Sequence, residues 1–125
     1  MRYDPAKAPD PASWLALDES SRAAAVQKFH REARVKLPNV RAHALFHVIV
    51  ENQLAERVDA VVRAVSRLQS EGLSRHDALH AVGSVLAANM FDLMKGESVP
   101  ENPQASYEAE LDELTAAKWR NEYGQ

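Results

Sequence analysis

Proline is confined to three places in this chain: Pro5, Pro9 and Pro11 near the start, Pro38 in the interior, and Pro100 and Pro103 late. Proline lacks an amide hydrogen and clashes with the preceding turn, so helices stop at such positions and run freely between them. Glycine, the other common breaker, occurs only four times. No segment alternates apolar and polar residues with a period of two, which leaves a sheet without material. The chain is therefore expected to be all-α, about five helices in a compact bundle, forming a single domain over residues 1–125.

Capping signals place the elements. The opening MRYDPAKAPD, residues 1–10, reads as an extended arm. Asp10 before Pro11 is a helix start, with a short turn through Trp14 and Leu15 after it. Asp18 caps a helix over Glu19 to Val35, its inward stripe Ala23, Val26, Phe29 and Ala33, and KLPN ends it. Asn39 caps Val40 to Glu56, which is apolar on most sides and so expected to be buried. After a bend at AERVD, a helix from Val58 to Ser70 turns Val61, Val62, Val65 and Leu68 inward and stops at Gly72. Ser74 and Asp77 form a capping-box variant for a helix running to Lys95, with Gly96 as its stop. Residues 96–105 read as a linker. A last amphipathic helix, Ser106 to Arg120, would make its contacts through Tyr107, Leu111, Leu114 and Trp119.

Composition removes several classes of function. The net charge of −3 and the scattered basic residues speak against nucleic acid as a partner, since phosphate binding wants a clustered basic surface. The longest apolar stretch, Ala81 to Met94, is interrupted by Gly83, Ser84, Asn89 and Asp92, so no membrane span is expected. No secretion signal is read at the N-terminus, and a cytoplasmic protein is the expectation. The absence of cysteine removes disulfides, iron–sulfur clusters and thiolate zinc sites together. Any metal would be held by nitrogen and oxygen.

Four of the five histidines come as two pairs. HALFHVIVEN carries His43 and His47, and HDALHAVGSV carries His76 and His80. An i,i+4 spacing projects two imidazoles from consecutive turns of one helix face. Glu51 follows one turn after His47, so His43, His47 and Glu51 share a stripe spanning about 80° of the helix. On the later helix Gly83 and Ala87 flank His76 and His80, and their small side chains leave room for another helix or a ligand. The two segments also align without gaps at an offset of 33 residues, which reads as two related helix units packed against each other. The resulting expectation is an interhelical metal site of His43, His47, Glu51, His76 and His80, with Glu51 as ligand or as orienter of a ligand. Zinc or iron are the ions such donors suit.

The chemistry narrows further. HDALH has the frame of the HExxH metalloprotease helix, but Asp77 stands where the glutamate base belongs and is already used as a cap. A carboxylate-bridged di-iron site would need Glu-x-x-His spacings that the paired histidines lack. HVIVE and HDALH match two pieces of a hemerythrin-type histidine site, whose other ligands are missing unless His30 in KFHRE contributes. No nucleophile is supported, because Ser84 sits mid-helix where its hydroxyl bonds a carbonyl one turn back. The alternative from another class is a non-enzymatic interaction module with structural histidines. It would form a homodimer or bind a partner through its amphipathic faces, Tyr107 and Trp119 among them. Neither reading names a small-molecule ligand or a reaction.

At HALFHVIVENQLAE and GLSRHDALHAVGSVLAANMFDLM, about residues 40–95, the chain resembles a group of small bacterial all-helical proteins classed as domains of unknown function. These pair an H-x3-H helix carrying an E-x-Q-like stretch with a later H-D-x-x-H helix, and DPASWLALDE before them is also similar. The resemblance implies a bacterial source and a shared histidine site at His43, His47, His76 and His80, without an activity.

Overall fold

A computed structural model describes residues 2–33, 40–96 and 99–123. Among these residues there are seven α-helices and no strand: α1 Pro11–Ala16, α2 Glu19–Glu32, α3 Val40–Ala55, α4 Asp59–Ser70, α5 Arg75–Lys95, α6 Pro103–Glu113 and α7 Ala116–Tyr123. The expected helix end at Val35, the KLPN break, the Asn39 cap and linker positions 97 and 98 lie outside the described residues.

The caps work as their chemistry requires. Asp10 accepts from the Ser13 amide, Asp18 from the Ser21 amide and Ser74 from the Asp77 amide, each satisfying a donor that has no partner inside its helix. Gly96 closes α5 in the left-handed region at φ 71°, and Gly72 provides φ 104° between α4 and α5. At the end of α3 the left-handed position falls on Arg57, at φ 58°, beside the bend expected at AERVD.

The structure has seven helices where about five were expected, for two local reasons. The turn through Trp14 and Leu15 is a complete short helix. The expected final helix is two, because Leu114 is extended at ψ 131° and Thr115 starts a new helix by accepting from the Lys118 amide. Arg67 of α4 holds the break open. Its guanidinium donates to the carbonyls of Leu111 and Leu114, while Glu71 accepts from the Ala116 amide. Asn102 caps α6 and Pro103 is its first residue, so the helix begins inside the stretch expected to be linker. Of the α4 stripe, Val61, Val65 and Leu68 are buried together with Ala60 and Ala64, whereas Val62 faces solvent.

The described residues form two apolar clusters. One joins α4, α5, α6 and the later part of α3 through Val50, Val61, Leu68, Val82 and Leu111. The other gathers the arm, α1, α2 and the earlier part of α3 through Tyr3, Trp14, Val26, Ala44 and Val48. Helix α3 belongs to both. Its polar run, buried at Glu51 and half-buried at Asn52 and Gln53, carries them together: Glu51 bonds Arg75 of α5, Asn52 Oδ1 accepts from Trp14 Nε1 and Arg22, and Gln53 accepts from the Tyr107 hydroxyl of α6. Three successive residues, about 100° apart on the helix, thus reach elements on three sides.

Candidate metal centre

The histidines meet where the two clusters adjoin. His30 comes from the last turn of α2, His43 and His47 from α3, and His76 and His80 from the first turns of α5. Helices α3 and α5 lie antiparallel here, so that Glu51 meets Arg75, His47 meets His76 and His80, and His43 meets His80. The two echoing segments therefore face each other. Each of the five histidines offers one ring nitrogen to a group whose members all lie within 4.8 Å of one another. The structure brings His43, His47, His76 and His80 together as spaced in the sequence and adds His30. Glu51 is outside this group.

Nε2 of His43 lies 3.1 Å from Nε2 of His30 and 3.1 Å from Nε2 of His47, and the latter lies 3.1 Å from Nε2 of His80. Two of these nitrogens have their protonation fixed from outside the cluster. His30 Nδ1 is 2.9 Å from the Val26 carbonyl, which can only accept, so Nδ1 carries the hydrogen. The Tyr3 hydroxyl spends its hydrogen on Glu51 Oε2 at 2.6 Å. His47 Nδ1, 3.1 Å from the Tyr3 hydroxyl oxygen, is therefore a donor too. In the neutral rings, Nε2 of both His30 and His47 then points a lone pair into the cluster. Hydrogens on His43 and His80 alone would give two donors for three contacts. Nε2 of His76 is buried and has no hydrogen-bond partner among the described residues.

Burial favours the neutral form of His43, His47, His76 and His80. It pushes His43 down to about 4 and His80 down to about 3, with neighbouring imidazoles adding to the shift. His47 is driven lower still by burial and then by His80 and His43. Burial and His30 also lower His76, against the opposing pull of Asp77 and Asp4. Neutral imidazole is the form that binds a metal.

These distances suit ligands around one ion. At metal–nitrogen bonds of about 2.0–2.1 Å two ligands of one ion stand at most about 4.2 Å apart, so the 3.1 Å separations fit, and rings further apart, up to 4.8 Å, would turn inward to join. Five imidazoles also exceed the four ligands of a closed structural zinc site.

Glu51 serves the site from behind. Its carboxylate receives Arg75 in a bidentate pair at 2.7 and 2.9 Å, with side-chain exposures of 1% for Glu51 and 9% for Arg75. Burial works against the Arg75 charge, but the Glu51 carboxylate outweighs it and holds the guanidinium ionised. Burial and the same carboxylate raise the Tyr3 phenol far above its ordinary range, so it remains a donor. Arg75 also donates to the Pro5 carbonyl, which fastens the arm over the cluster. Tyr3 and Arg75 had no helical spacing to mark them in the sequence. His30 had a position but no partner one turn away.

The other face of the cluster is open. His43, His47 and His80 line a cleft of about 280 Å³ whose walls include Phe46, Leu79, Gly83, Ala87 and Trp119. The Ser84 hydroxyl at its edge is committed to the Ala81 carbonyl at 2.7 Å, as its mid-helix position implied. No described helix is long and apolar enough to cross a membrane. Comparisons with family models, with curated proteins and with solved structures find no match, so what the site can do rests on its own geometry.

Proposed function

We propose that this is a metal-binding protein in which His30, His43, His47, His76 and His80 hold one divalent first-row transition ion. Zinc and iron both suit imidazole, and five candidate ligands leave room for an ion that takes five or six, such as ferrous iron. Glu51 acts as the orienter: through the Tyr3 hydroxyl it fixes the hydrogen of His47 on Nδ1 and leaves Nε2 for the ion. One observation carries the reading. Four Nε2 atoms from three helices approach to 3.1 Å, and two of them are lone pairs by their outer hydrogen bonds.

The test is elemental analysis of protein purified without a metal-affinity column. About one equivalent of a single transition metal is expected, with melting lowered by a chelator. The double variant His43→Ala, His80→Ala should fold and retain less than about a tenth of an equivalent. Wild-type protein that holds less than about a tenth of an equivalent, takes up none when offered ferrous or zinc ions, and melts unchanged in chelator would refute the reading.

A further inference from the structure

The cleft on the open face has features that packing alone does not account for. Gly83 lies in the interior of α5, where glycine costs about 1 kcal/mol relative to alanine. Its backbone is ordinary helix. A Cβ built there would meet nothing closer than the Cβ of Phe46 at 3.8 Å, which is normal contact. Neither conformation nor close approach requires glycine at this position, yet it faces the cleft beside His80. Ala87, one turn further on, leaves the same wall low, and Trp119 of α7 adds an aromatic ring to the lining.

Polarity is equally one-sided. With the Ser84 hydroxyl occupied by Ala81, the polar side chains lining the cleft are His43, His47 and His80, besides the indole N–H of Trp119. The back of the cluster is closed by the buried Tyr3 and Pro5 of the arm, tied down by Arg75. An ion held by the histidines would be shielded on the arm side and approachable from the cleft.

We infer that the cleft admits a small molecule with an aromatic or apolar body and one nitrogen or oxygen donor, the donor completing the coordination of the ion. This rests on the metal-binding reading above. The body of the ligand would lie against the lining formed by Trp119, Gly83, Ala87, Phe46 and Leu79. Small ligand sites of this kind pair an apolar lining with one well-placed polar group, here the ion.

Cobalt-loaded protein, titrated with imidazole and with 4-phenylimidazole, tests it. The two probes share a donor and differ by an apolar ring. Both should change the visible cobalt spectrum, and 4-phenylimidazole should bind at least about tenfold more tightly because its ring is buried in the cleft. Gly83→Ala should raise the melting temperature yet weaken 4-phenylimidazole, and Ala87→Phe should abolish its advantage over imidazole while cobalt stoichiometry is kept. Stoichiometric cobalt with a spectrum indifferent to both probes, or with equal affinity for both, overturns the inference and leaves metal binding standing. Failure to bind cobalt, ferrous or zinc ions overturns the metal reading and the inference with it. Equal affinity of metal-free and loaded protein for 4-phenylimidazole, followed by tryptophan fluorescence, overturns coordination of the ligand.

Discussion

Tyr3 sets one hydroxyl between the Glu51 carboxylate and Nδ1 of His47, and this single oxygen decides which nitrogen of His47 faces the cluster. Tyr3→Phe keeps the buried ring and removes only that decision. Loss of one orienting partner typically weakens a metal site about 10- to 100-fold, and competition with a chromophoric chelator should show a drop of that order with the helical circular dichroism unchanged. The same neutral histidines predict a pH response in metal-free protein. Their folded pKa values lie below the unfolded value of 6.5, at about 4 for His43 and about 3 for His80. As pH falls below 6.5 the unfolded chain takes up protons that the folded chain refuses, so stability present at neutral pH is lost between 6.5 and 3. Urea midpoints of metal-free protein should fall over this range, and much less in a variant with both His43 and His80 replaced by glutamine. Four of the cluster residues were legible because i,i+4 spacing on a helix is a geometric statement that needs no tertiary information. His30 and Tyr3 join by packing from other elements, 13 and 44 positions from their partners, and no local period encodes that.

At the level of elements, starts were more legible than continuity. Asp10, Asp18 and Ser74 could be read because a cap acts within three residues of itself. The division of the last helix was not, since it depends on Arg67 and Glu71 reaching across from α4 to take carbonyls and an amide at the break. Asn102 with Pro103 was a readable start that the neighbouring proline at 100 obscured. Val62 shows the same limit: it is apolar at helical spacing, yet the inward stripe is centred on Ala60, Val61 and Ala64. One element end has a measurable strain. Arg57 occupies the left-handed region at φ 58°, where its Cβ crowds the backbone. Arg57→Gly should gain up to about 1 kcal/mol, seen as a higher urea midpoint at constant slope, and a loss of stability would show that the Arg57 side chain contributes more than its backbone costs.

Over the whole molecule, the histidines draw α2 and the arm, from one apolar cluster, against α5, which belongs to the other. A bound ion would tie the two clusters more firmly than their shared helix α3 does. Hydrogen exchange should then slow on metal loading by about tenfold or more at amides of α2, while amides of α4 and α6 that open without releasing the ion change less. Uniform slowing everywhere would show that the clusters already open as one.

The converging imidazoles also say something about what shaped this chain. Five polar rings occupy a junction between two apolar clusters that leucine and valine would fill more stably. A sequence selected for resistance to heat alone would have drifted toward those residues, since stabilising replacements are easy to find at such positions. On the metal-binding reading, stability at this junction gives way to a set of converging nitrogen ligands.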